Sequence, residues 1–150
     1  SSSAASDVYK RQEVYPGIKQ LLRDLIKQGV LCLVATSKPE IYAKKILDYY
    51  ELSNYFYYIA GANMDGTRTD KAEVIAYALK QIPAEYSNKK VLMVGDRSHD
   101  IIGAKKNGID CAGVLFGYGS REELEEAGAD FIADSVEAVR NIVFLNVAKN

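Results

Sequence analysis

From residue 13 onward, short apolar runs alternate with longer amphipathic runs of helical period, and this alternation constrains the fold more than any other feature. The runs "VLCLVAT", "YYIAGA", "KVLMVG", "DCAGVLF" and "DFIA" are apolar throughout, so each reads as a strand covered on both faces. The segment "YPGIKQLLRDLIKQG" places Ile18, Leu21, Leu22, Leu25 and Ile26 on one helical face, with Pro16 near the first turn and Gly29 at the stop. "KPEIYAKKILDYY" reads as a helix opened by Pro39. "DKAEVIAYALKQI" reads as another, with Asp70 at its N-cap and Val74, Ile75, Ala78, Leu79 and Ile82 facing inward. "SHDIIGAKKNG", "SREELEEAG" and "SVEAVRNIVFLNVA" complete the series. Doubly covered strands separated by helices imply a parallel sheet in a three-layer α/β/α domain.

The chain has 150 residues, 48% of them apolar, which is enough for one compact domain with a core. A net charge of −1 with interspersed signs offers no basic surface for nucleic acid or anionic membrane. No apolar run approaches the roughly 20 residues of a membrane span, and the start "SSSAASDVYKRQ" lacks the apolar centre of a secretory signal, so a cytoplasmic protein is expected. Cys32 and Cys111 have no CxxC-type neighbour and read as buried reduced thiols.

Ligands of such sheets bind beyond the carboxyl ends of the strands, and three of these ends carry suitable groups. In "LVATSK", Thr36 and Ser37 leave a strand at a helix start, a pattern that fits a helix cap as well as a phosphate site. Lys71 stands in the first turn of a helix, where the helix dipole disfavours a cation unless an anion shares the space. In "VGDRSHD", Asp96 closes a strand and Asp100 follows four residues later, in the first turn of the next helix. That spacing aims both carboxylates at one spot and suits Mg2+; capping with dipole complementation is the alternative. His99 should turn outward, and the "DYYELSNYFYYIAGA" tyrosines should pack along a helix end and a strand start.

A hydroxyl, a lysine and a carboxylate pair in this order resemble the haloacid dehalogenase-like (HAD) phosphatase superfamily, over roughly residues 13 to 140. The "YPG" stretch and "GYGSREELEEAGADFIA" look most like its phosphoglycolate-phosphatase-like branch. The resemblance implies a Rossmann-like core and a Mg2+-dependent phosphatase acting on a small phosphorylated metabolite through an aspartyl-phosphate. It also implies that Thr36 is the phosphate-binding hydroxyl, with Ser37 beside it, and that Lys71 neutralises phosphoryl oxygens. Asp96 would then be a direct Mg2+ ligand, and Asp100 a ligand or the holder of a bound water.

The superfamily's first motif, an apolar strand ending in D-x-D-G-T that bears the nucleophile, has no counterpart before residue 13, nor has the cap that follows it. "NMDGT" at 63–67 comes after the hydroxyl motif and reads as an Asp65–Gly66 turn. Residues 1–12 read as a non-native or disordered tail, since "DVYKRQ" back-translates to what looks like a transposon end used in sequencing libraries; residues 13–150 read as the core domain. The strand missing by resemblance is central, between "VLCLVA" and "KVLMVG". Losing about five buried apolar residues forfeits on the order of 10 kcal/mol, so the chain is expected to fold poorly or aggregate unless "SDVYKR" or another chain fills the slot, and without the nucleophile it is expected to be inactive. The alternatives are a non-catalytic binding module of the same fold and a phosphatase of nucleotide monophosphates. A receiver domain is disfavoured because its acids would precede its hydroxyl and lysine.

Overall fold

The computed structural model describes residues 14–147; the tail assigned to residues 1–12 lies outside them. In chain order the elements are α1 (Ile18–Lys27), β1 (Leu33–Pro39), α2 (Glu40–Tyr49), β2 (Tyr58–Ala62), α3 (Lys71–Lys80), β3 (Leu92–Gly95), α4 (Ser98–Lys106), β4 (Asp110–Val114), α5 (Arg121–Ala127), β5 (Phe131–Ala133) and α6 (Val136–Asn146). Every strand pairing is parallel, β1 with β2, β3 with β4, and β4 with β5. The expected α/β fold with parallel sheets is present.

Local sequence accounts for the elements with two exceptions. In α1 the buried stripe is Leu21, Leu22 and Leu25, and the helix ends before Gly29, whose φ of 77° only glycine adopts without strain. Ile26, expected on the same face, is 46% exposed instead. Asp70 takes the N-cap position of α3, yet its side chain makes no capping bond. By contrast, Ser120 and Ser135 accept the N–H groups of Glu123 and Ala138 and cap α5 and α6.

The sheet is not continuous. β1 and β2 form one sheet and β3–β4–β5 another, with no ladder between β1 and β3. Burial follows the break: β2 and β4 are buried over four residues each, whereas β1 and β3 contain no fully buried residue and Val94 is 39% exposed. In a covered parallel sheet the inner strands should be the most buried, so the order is inverted. A cleft of about 460 Å³ runs along the two inner edges, lined there by Cys32, Leu33 and Val34 on one side and Leu92, Met93 and Val94 on the other. The buried residues accordingly fall into three clusters instead of one contiguous core. One lies between α1, α6 and the ends of β4 and β5, one between α4, α5 and β4, and one between β2 and α3.

Candidate active site

The carboxyl ends of both sheets point to one side of the molecule. Lys71, at the start of α3 beyond β2, lies 2.8 Å through its Nζ from Asp100 Oδ1 beyond β3. Both side chains are nearly enclosed, 11% and 6% exposed. The cost of a cation at a helix N-terminus, evident from sequence, is thus met by an anion sharing the space. Asp100 divides its oxygens: Oδ2 accepts the backbone N–H groups of Asp96 and Arg97 at 3.0 and 3.1 Å. Oδ1 is buried and accepts no directed hydrogen bond; its company is the ammonium of Lys71.

Asp96 sits in the turn between β3 and α4, half-buried, with Oδ2 accepting the N–H of Tyr118 at 2.8 Å. The loop that delivers this N–H, "GYGS" after β4, closes tightly on Asp96. A Cβ at Gly117 would overlap the Asp96 carboxylate, and one at Gly119 its carbonyl. The carboxylate that caps the turn is therefore Asp100, while Asp96 is held from across the sheet. His99 points outward as expected, 55% exposed and 3.9 Å from Asp100 Oδ1.

Thr36 and Ser37 lie at the carboxyl end of β1, which continues to Pro39 before α2 begins. Thr36 Oγ1 accepts the N–H of Lys38 at 3.2 Å, and Ser37 is exposed. Among the described residues neither makes a hydrogen bond with Lys71, Asp96 or Asp100. The structure thus brings Lys71, Asp100 and the Asp96 turn together and leaves the hydroxyl pair on the other sheet, across the cleft.

Two contributors were not assigned from sequence. One is the Tyr118 N–H with its flanking glycines. The other is Glu123 of α5, whose Oε2 accepts Arg97 Nε at 2.9 Å and the N–H of Ser98 at 2.7 Å, at the start of α4. The Arg97 guanidinium first, then that N–H, holds the Glu123 carboxyl below its ordinary range. The glycine pair around Tyr118 was the only local signal. The segment at 63–67 is a turn, with Thr67 donating both its N–H and its hydroxyl to Asp65. Both cysteines are free thiols, Cys111 buried and Cys32 partly so.

The oxygen donors near this turn are of the type a hard divalent cation takes, the carboxylates of Asp96 and Asp100, of which Asp100 Oδ1 already lies 2.8 Å from the Lys71 ammonium. Among the described residues no third carboxylate, histidine or cysteine joins the pair. That is compatible with Mg2+, which keeps several waters and shares substrate phosphate oxygens. No helix of the described residues is long and apolar enough to cross a membrane.

Residues 2–114 match the family described as haloacid dehalogenase-like hydrolase. A Pseudomonas aeruginosa protein named 5'-nucleotidase is 38% identical over 132 residues, covering 87% of this chain and 58% of the relative. A Pseudomonas fluorescens phosphoglycolate phosphatase is 31% identical over 125 residues, covering 82% and 44%. The solved structure of Mycobacterium tuberculosis protein tyrosine kinase A superposes with a TM-score of 0.79 at 35% identity, covering 95% of this chain and 66% of that one. The chain therefore spans only about half to two-thirds of the length of the proteins it matches.

Proposed function

The chain belongs to the haloacid dehalogenase-like hydrolase family, and from that premise we propose that it carries much of the active site of a Mg2+-dependent phosphatase acting on a small phosphomonoester. The observation that carries this reading is the enclosed Lys71–Asp100 pair, fixed to the Asp96 turn at the carboxyl ends of the strands. Asp96, with Oδ2 anchored by Tyr118, offers Oδ1 as the direct metal ligand. Asp100, its Oδ1 beside Lys71, acts by orienting a metal-bound water and the lysine. The Lys71 ammonium and the hydroxyls of Thr36 and Ser37 bind phosphoryl oxygens and stabilise the charge that grows on them in the transition state. Mg2+ when bound supplies further neutralisation of those oxygens. The aspartate that attacks phosphorus, and the acid that protonates the leaving oxygen, have no counterpart among residues 14–147 in the position the family requires. In this reading the chain alone is therefore a catalytically incomplete part.

The substrate named first is phosphoglycolate-like. A nucleoside monophosphate is the second reading, favoured by the 38% identity to a protein named 5'-nucleotidase. The test combines calorimetric Mg2+ titration with phosphate release from phosphoglycolate, a panel of 5'-nucleotides and p-nitrophenyl phosphate. The expected result is Mg2+ binding that Asp96→Asn abolishes, with no turnover by the chain alone. Turnover lost on Asp96→Asn would refute the missing nucleophile. Mg2+ binding indifferent to Asp96→Asn would refute the metal assignment.

A further inference from the structure

We propose that Tyr15 is a positioning residue for the Asp96 turn: its ring holds Phe116, and through Phe116 the loop whose Tyr118 N–H fixes the Asp96 carboxylate. The inference rests on the reading of Asp96 as a Mg2+ ligand, and adds to it a residue that touches neither metal nor phosphate.

The loop in question runs from Leu115, whose N–H donates to Ala133 O at 2.9 Å, to Ser120, whose side chain caps α5. Between these anchors stand Phe116, Gly117, Tyr118 and Gly119. Neither glycine position has room for a side chain, because a Cβ there would overlap the carboxylate or the carbonyl of Asp96. Tyr118 is 93% exposed. Phe116 is therefore the one side chain of the four that packs on the body of the protein. It joins the cluster between α1, α6 and the ends of β4 and β5, and it meets the Tyr15 ring.

The two ring centroids lie 4.4 Å apart with the planes inclined by 34°, a contact that attracts beyond the area it buries. The Tyr15 backbone is fixed as well. Its carbonyl accepts the Ile18 N–H at 3.2 Å across the Pro16–Gly17 turn, and Gly17, at a φ of 90°, sets that turn beside Val136 at the start of α6. Tyr15 is itself 47% exposed, so removing its ring opens no cavity in the core. What its removal frees is Phe116.

This series of contacts ends on the metal-binding group. Asp96 Oδ2 accepts the Tyr118 N–H at 2.8 Å, a bond to a charged acceptor that sets which way the carboxylate turns. Two glycines leave the loop wide backbone freedom. Without an anchor at Phe116 it samples positions in which this N–H misses Oδ2. The Tyr15 ring narrows that freedom, so the carboxylate is ordered before a cation arrives and less ordering remains to be done on binding.

The test uses the full 150-residue chain, labelled with nitrogen-15. Exchange of the Tyr118 amide is read by NMR without metal, and Mg2+ affinity by calorimetry. In Tyr15→Ala the expected result is faster Tyr118 exchange and weaker Mg2+ binding, each by on the order of tenfold, with β4 amides still protected. Phe116→Leu, which breaks the pair from its other side, should do the same. Tyr15→Phe keeps the ring and should match the unaltered chain. Val143→Ala loosens the same apolar cluster from the far end of α6; it should lower the urea midpoint and change neither reading. Unchanged Tyr118 exchange in Tyr15→Ala, faster exchange with Mg2+ affinity unaltered, failure of Tyr15→Phe to restore both, or equal changes in Val143→Ala would each overturn the proposal. Should the unaltered chain bind no Mg2+, the metal reading of Asp96 falls, and Tyr118 exchange still decides whether Tyr15 positions the turn.

Discussion

Breaking the Lys71–Asp100 pair from its two ends should cost unequal amounts, because the two residues have different second partners. Lys71→Met leaves a buried carboxylate whose Oδ2 still accepts two backbone N–H groups. Its cost should be about 3 kcal/mol, the lower end of what removing one partner of a buried ion pair costs. Asp100→Ala strands the ammonium and also orphans the N–H groups of Asp96 and Arg97, adding about 1–3 kcal/mol for what solvent cannot reach. The gross attraction at 2.8 Å is roughly 6 kcal/mol at an effective dielectric of about 20. Desolvation of two side chains only 11% and 6% exposed offsets much of it. A double-mutant cycle between Lys71→Met and Asp100→Asn should therefore return a coupling of about 1–3 kcal/mol. Urea unfolding followed by far-ultraviolet circular dichroism measures all the terms. A coupling below about 0.5 kcal/mol, as for an exposed pair, would refute the argument, and so would equal costs for Lys71→Met and Asp100→Ala.

Three further outcomes follow from single contacts. Gly117→Ala drives a Cβ into the Asp96 carboxylate; it should cost about 1–3 kcal/mol by overpacking and weaken Mg2+ binding in calorimetry more than Ser120→Ala does. Burial pushes the Cys32 thiol up to about 11, so at pH 8.5 its iodoacetamide labelling, followed by mass spectrometry, should be on the order of a hundredfold slower than a free thiol of pKa about 8.5. Asp130 accepts the Cys111 N–H at 2.9 Å, and chiefly this bond lowers its pKa below 3.8. A depressed folded-state pKa contributes stability that is complete above the unfolded value and lost as pH falls through the folded one. Asp130→Asn should therefore flatten the loss of stability below about pH 4 in acid unfolding, leaving the slope near neutrality unchanged.

The elements were legible because each carries its own period and stop signals, and the site residues because they stand at strand ends with recognisable spacing. Strand limits were less so. "VLCLVAT" reads as a strand from Val30, but β1 begins at Leu33, where its register partner Tyr58 begins β2; a strand extends only as far as its neighbour does. The support of the Asp96 turn was hidden for a related reason. Tyr118 and Glu123 lie 22 and 25 residues from the groups they hold, and no local pattern encodes a contact made by returning across a sheet. The division between β1 and β3 did follow from the sequence, through the strand that the family resemblance places there.

That division leaves side-chain and helix contact to join the two sheets. α2 and α3 pack on β1–β2 and α4 through α6 go with β3–β4–β5, whereas α1 packs on α6 and the ends of β4 and β5; among the described residues no backbone ladder joins the sheets. Asn107 Nδ2 donates to Ala72 O at 3.0 Å where Gly103 lets α3 and α4 approach. Arg140 Nε donates to Asp24 at 3.1 Å and ties α1 to α6. The Lys71–Asp100 pair is a further joint. The Asp96–Asp100–Tyr118 network, by contrast, lies wholly on the β3–β4–β5 side. The carboxylate turn therefore keeps its own support when Lys71 is removed, and Lys71→Met should leave the Mg2+ affinity of the turn unchanged while Asp96→Asn abolishes it, as calorimetric titration measures. Equal loss of Mg2+ affinity in the two variants would show that the turn depends on the lysine for its shape.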